Sequence, residues 1–175
     1  MQIAQFQVQD DDHKFDDVIH KFQKTMNDPD PESVHTEILF SDRKMFSSSG
    51  RGGLFAGHGL WPGIGTRFIN FSDIEPDKWK FYPLLISEAD ENAIHHNCDI
   101  MQKMAYDWPG IVGQPLPFNI QLWFMAYCSE IVNDKICEVR TDILHKRKIR
   151  PGEIVDWYAG QGLIDPEFSD FEIIS

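Results

Sequence analysis

Residues 33–40, SVHTEILF, constrain the fold more than any other stretch of the chain. Apolar or β-branched Val34, Thr36, Ile38 and Phe40 alternate with His35, Glu37 and Leu39. Successive side chains of a strand point to opposite faces, so the first set shares one face and the second set the other. β-Branched and aromatic residues suit a packed sheet. An imidazole and a carboxylate two residues apart therefore project from the same face of a strand whose opposite face is core. A turn at Ser41 and Asp42 leads to a second short strand over 44–48, which predicts a hairpin.

Around that hairpin the pattern alternates between strands and helices. Residues 2–8 read as a strand. After the acidic run Asp10 to Asp12, Phe15, Val18, Ile19 and Phe22 recur at i, i+3, i+4 and i+7, the stripe of an amphipathic helix. NDPDP at 27–31 ends it, because proline cannot continue a helix. Residues 49–65, SGRGGLFAGHGLWPGIG, form a long glycine-rich loop, and long ordered loops are commonly functional. Residues 67–71 and 79–86 read as strands. Ser87 caps a helix with Glu88 in its first turn, and Ala89, Ala93, Ile100, Met101 and Met104 are assigned to its apolar face. That helix ends before the turn Asp107-Trp108-Pro109-Gly110. A second main helix is predicted within 119–137, where Cys128, Ile131, Val132 and Ile136 line one stripe. Pro151 starts a short helix that stops at Gly160. The order implies α+β: an antiparallel sheet packed against helices on one side. One domain over 1–164 with an acidic tail over 165–175 accounts for the 175 residues.

Composition narrows the function classes. Sixteen basic against 28 acidic residues leave a net charge of −12, which does not build the basic footprint of a nucleic-acid or anionic-lipid binder. No apolar run approaches the roughly 20 residues of a membrane span. The start, MQIAQFQVQDDD, lacks the basic and apolar regions of a Sec signal, so the expected location is the cytoplasm or a virion. Cys98, Cys128 and Cys137 make an odd count without paired spacing and read as reduced thiols.

The strongest chemical pattern is AYCSEIV at 126–132. Cys128 lies near a helix start, where unpaired N–H groups and the positive dipole end favour a thiolate. A free cysteine on an apolar stripe is more often a small buried core residue. His35 is the natural partner, able to take the thiol proton as general base and return it to a leaving group. Glu37 on the same face could orient the imidazole or hold a substrate cation, and Ser47 on the next strand is a second possible orienting group. Alone, each is better explained as an ordinary polar strand residue. Two other clusters compete. His95, His96 and Cys98 share one helix, but a structural zinc needs four ligands and no second pair supplies them, so no metal and no cofactor is expected. The glycines of 50–65 form neither GxxxxGK[ST] nor a strand-linked GxGxxG, which argues against a nucleotide loop. His58, in GHG, either reaches a cleft or is solvated.

Taken in order, these segments resemble the circularly permuted papain-like (NlpC-type) cysteine hydrolases, in particular small phage and bacterial members related to YiiX. SVHTEILF (33–40) is similar to a Ser-His-Val-Glu-Leu-Val strand, and MFSSS (45–49) to a Phe-Ser-Ala-Ser strand. GIGTRFINFSD (63–73) resembles a GGVR segment and DKWKFYPL (77–84) a Lys-Trp-Asp-Phe segment. YDWPGIVG (106–113) resembles a Tyr-Asp-Tyr-x-Gly turn, YCSEIV (127–132) a Phe-Cys-Ser-Glu helix start, and IRPGEIVDWY (149–158) a Ser-Pro-x-x-Leu ending. The likeness runs over about residues 2–160. It implies a permuted papain-like fold in which the histidine strand precedes the cysteine helix, with Cys128 as nucleophile and His35 as base. The family's third polar residue, often an acid, falls at Ser47 or Ser48, a departure that Glu37 could make good. Val34, between Ser33 and His35, is a second departure. Oxyanion donors would be the Cys128 N–H and a group such as Tyr127 or Gln121, with Tyr106 and Asp107 shaping the cleft or its turn.

Two functions follow as expectations. One is a thiol hydrolase that cleaves an amide or ester through an acyl-enzyme, with peptidoglycan stem peptides, other peptides or acyl lipids as substrates. The other is a structural or adaptor protein of a phage virion or tail, with a vestigial site and other virion proteins as partners, which the missing acid at Ser47 favours.

Overall fold

The computed structural model describes residues 1–8, 20–21, 23–25, 27–49, 65–101, 105–106, 125–126, 128–146 and 148–164. Five strands, β1 (Gln2–Gln7), β2 (Ser33–Leu39), β3 (Lys44–Ser49), β4 (Gly65–Asn70) and β5 (Trp79–Pro83), form one sheet in the order β4-β3-β2-β1-β5. Every neighbouring pair is antiparallel. After β5 the described residues hold three α-helices: α1 (Glu88–Ile100), α2 (Cys128–Val139) and α3 (Ile154–Ala159). Before α2, two residues of β6 (Ala105–Tyr106) pair in parallel with β7 (Met125–Ala126). The architecture is α+β. Residues 165–175 and the stripe residues Phe15, Val18, Ile19 and Phe22 lie outside the described residues.

β2 is the middle strand, and all seven of its residues are buried. Its alternation sorts the interior into two layers. Ile38 joins Ile3 and Phe46 against the helices, where Ile94, Ile131, Val132, Ile136, Ile154 and Tyr158 complete the main core. Leu39 joins Ala4, Met45 and Phe71 on the opposite face, with Trp79 and Phe81 packed beside them. The helices thus cover one face, and aromatic side chains cover the other. Burying each large aliphatic of α2 stabilises the fold by about 1.5–3 kcal/mol, and this helix packs against both β2 and β3.

Two helices differ from the sequence expectation. Ser87 does cap α1, accepting a hydrogen bond from the Asp90 N–H at 3.1 Å. Its buried stripe, however, is Ile94 and Cys98, with Met101 packed alongside. Ala89 and Ala93 are exposed, and Ile100 is 69% exposed. At 100° per residue, positions 94, 98 and 101 share one phase, while 89, 93 and 100 fall on the opposite side. The helix also ends by Met101, ahead of the expected Met104, which lies outside the described residues. α2 starts at Cys128, in keeping with a helix start near that residue, and runs on to Val139, past the expected limit at 137. Residues 125–126 are extended because they pair with 105–106.

β3 departs from β2 partway along. β2 and β3 pair only at Ile38–Phe46 and Leu39–Met45, whereas β3 stays paired with β4 along its whole length. From Ser47 onward the sheet is open between them, and among the described residues the β2 edge at Thr36 has no strand partner on that side. α2 packs against both strands here.

Candidate active site

The opening in the sheet is where the chemistry gathers. Ser47 lies directly at it. Its hydroxyl donates to the Thr36 carbonyl at 2.6 Å, taking the place of a missing ladder hydrogen bond. The Thr36 N–H on the same edge donates instead to the Cys128 sulfur, as does the Ser129 N–H at the start of α2. The sulfur therefore reaches the edge of β2 from the helix side, and His35, one residue earlier on the opposite face, hydrogen-bonds it. Residues far apart in sequence meet because a helix start fills a gap between two strands.

α2 is held at this position by its buried polar residues. Ser129 Oγ donates to the Ile149 carbonyl at 2.6 Å. Asn133 donates to the Lys146 carbonyl at 3.2 Å and accepts from Tyr158 at 3.1 Å. Ser129 and Asn133 thus have the partners that buried polar side chains need, and together they tie the first two turns of α2 to the segment before α3 and to α3 itself.

Behind His35 stands Glu37. Its Oε1 meets His35 Nε2 at 2.9 Å, leaving Nδ1 as the ring nitrogen free for the sulfur. The same Oε1 accepts from Arg67 Nη2 at 2.7 Å. Cys128, His35, Glu37 and Arg67 form a chain of alternating charge. Trp79 closes its outer side, with its ring edge-on to the imidazole at 6.0 Å between centroids, and Phe6 supports Trp79 at 5.4 Å. The register accounts for this row: Phe6 pairs with His35 on one side and Trp79 on the other.

The electrostatics follow from burial against pairing. Cys128 is 3% exposed, and burial by itself pushes a thiol up. The His35 charge, its hydrogen bond and the two N–H donors outweigh that and hold the thiol below its ordinary value. Burial opposes the His35 imidazolium too, yet the sulfur and then Glu37 raise it above the usual imidazole range. Burial would likewise raise Glu37, but the Arg67 charge and the contact with His35 hold it at about 2. The other two cysteines show what burial does without such partners. Cys137 is pushed up to about 11, and Cys98, enclosed in the core, is pushed further. All three are unbridged.

Of the residues singled out from sequence, His35, Glu37 and Cys128 come together. Ser47 lies beside them, but its hydroxyl serves the Thr36 backbone rather than the imidazole. Only the backbone of Tyr106 is described, within β6, and His58, Asp107, Gln121 and Tyr127 lie outside the described residues. Arg67 was not singled out, although it stands in the segment that resembles GGVR. A buried carboxylate calls for a cation, but which cation depends on strand register, and β4 pairs Arg67 with Ser47, next to Glu37.

The competing cluster is dispersed. The His95 ring stacks on Phe68 at 5.0 Å with Asp42 and Asp99 carboxylates each 3.4 Å away, whereas Cys98 points into the core. Among the described residues, no group of three His, Cys, Asp or Glu is arranged to hold a metal ion. A cavity of about 540 Å³ opens beside His95, Asp42 and Glu91, and shares no residue with the Cys128 site. No helix among the described residues is long and apolar enough to cross a membrane. Comparison of the chain with protein-family models, curated proteins and solved structures gave no match.

Proposed function

We propose that this protein is a cysteine hydrolase of permuted papain-like fold that cleaves an amide or ester bond through an acyl-enzyme on Cys128. The observation that carries this is a buried thiol hydrogen-bonded to an imidazole whose other ring nitrogen meets a carboxylate at 2.9 Å. This arrangement supports acyl transfer, which calls for a nucleophile, a base beside it and a group that orients the base. In the first half-reaction the Cys128 sulfur attacks the carbonyl carbon and the C–S bond forms. His35 passes its proton to the departing amine or alcohol as the C–N or C–O bond breaks. In the second half-reaction His35 draws a proton from water, the hydroxide displaces the sulfur, and the acid leaves. Glu37 holds the ring and balances the imidazolium throughout. The Cys128 N–H is one oxyanion donor, since the first N–H groups of a helix have no partner within it.

Glu37 supplies the carboxylate that Ser47 lacks, which favours a working hydrolase over an inert adaptor. Peptidoglycan stem peptides are the proposed substrate class, on the resemblance set out above. Purified muropeptides incubated with wild-type protein and with Cys128→Ala test this reading by product mass. New stem-peptide fragments with the wild type alone are expected. Absence of fragments, or equal cleavage by the variant, overturns it.

A further inference from the structure

We infer that Arg67 is a positioning residue of this site, acting through Glu37 to set the pH at which Cys128 becomes a nucleophile. This rests on the hydrolase reading and deepens it. Three observations support it. Arg67 contacts the same carboxylate oxygen that holds His35, at 2.7 Å, so both cations share Oε1. Among the described residues Glu37 Oε2 is buried without a hydrogen-bond partner, so none of them compensates this carboxylate from its second oxygen. Arg67 is also anchored where it stands, with Nη1 3.3 Å from the Ser47 carbonyl at the opening between β2 and β3. It never touches the sulfur; its route to the thiol runs through Glu37 and His35.

Among the described residues, the charges that act on Glu37 are those of Arg67 and His35. On its own strand it faces His35, from β4 it faces Arg67, and through His35 it feels the Cys128 sulfur. Its register partner on β1 is Ala4, and Ser47 and Met45 are the nearest β3 residues on that face. Removing the guanidinium leaves the buried cluster with one more net negative charge. Each acidic group in it then holds its proton to a higher pH. Protonation of the Cys128 thiolate and of Glu37 both move upward, and the acid limb of thiol reactivity moves with them. A lysine restores the charge, and because the contact engages a single carboxylate oxygen, it need not reproduce a two-pronged fork.

The test is the rate of Cys128 alkylation by iodoacetamide against pH, read by peptide mass spectrometry on the full chain. Wild type, Arg67→Gln, Arg67→Met and Arg67→Lys are compared, each checked for cooperative thermal unfolding. The acid limb is expected to rise by about one pH unit in the Gln and Met variants, or about tenfold in rate below it. Arg67→Lys is expected to stay within about threefold of wild type, given its retained charge. If one neutral variant does not fold, the other is read. A uniform drop in rate with an unmoved limb, or a lysine variant shifted as far as the neutral ones, overturns the role of Arg67. Slow labelling of Cys128 in the wild type, no faster than Cys137, instead removes the hydrolase reading, so the two failures are distinct.

Discussion

Replacing His35 by glutamine isolates the contribution of the imidazole to the Cys128 thiol. Glutamine fills similar space and can still donate to Glu37, so it removes the titrating ring without leaving a large void. Cys128 would then keep its burial and its Thr36 and Ser129 N–H donors, but lose the neighbouring charge and hydrogen bond that do most to lower it. Cys137 gives the scale. Burial and Asp134 push that thiol up to about 11, although it is less enclosed than Cys128. The variant thiol is therefore expected to rise from its lowered position, because burial then stands against the two N–H donors alone. Each unit of that rise removes about tenfold from the thiolate at a pH below it. Alkylation of Cys128 by iodoacetamide at pH 7 should slow about tenfold or more relative to wild type. Cys137 in the same molecule serves as the internal clock and should keep its rate. A His35→Gln protein whose Cys128 still reacts far faster than Cys137 would refute the role given to the imidazole.

Three further outcomes follow from the same geometry. Glu37 is held at about 2 against an ordinary 4.5, so its pairing stabilises the fold fully above pH 4.5 and is lost as pH falls toward 2. This is worth about 3 kcal/mol in that window; acid unfolding followed by circular dichroism should show Glu37→Gln losing that part of the pH dependence. Ser47→Ala leaves the buried Thr36 carbonyl without its donor, at a cost of about 1–3 kcal/mol. Chemical denaturation should report that loss, while the pH midpoint of Cys128 alkylation stays in place. Gly152→Ala drives a methyl group into the Asp28 carboxylate and the Asp30 backbone, so thermal unfolding should come earlier by about 1–3 kcal/mol in stability.

The sheet and the faces that carry His35, Glu37 and Cys128 were legible in the sequence for local reasons. Alternation over 34–40 is short-range, and it placed His35 and Glu37 on one face. The Cys128, Ile131, Val132 and Ile136 stripe is likewise local, and it located the core side of α2. What the sequence does not carry is register and divergence between strands. Arg67 reaches Glu37 only because β4 pairs with β3 in one register, and nothing within 65–70 announces it. Ser47 read as an orienting group because a hairpin residue there faces the histidine side. Its hydroxyl turned to the Thr36 carbonyl because β3 leaves β2 at that point, exposing a backbone acceptor that had to be satisfied. The α1 face was misassigned because its apolar residues are sparse, and alanines count little when phase is decided by Ile94 and Cys98.

The central claim is that the Cys128 sulfur attacks a carbonyl and carries the acyl group. Incubation with p-nitrophenyl acetate, followed by intact-mass and peptide analysis, tests it most directly. A single acetyl group on the peptide bearing Cys128, absent from Cys128→Ala and strongly reduced in His35→Gln, is the expected result. Acetylation confined to other residues, with Cys128 unmodified, would contradict it.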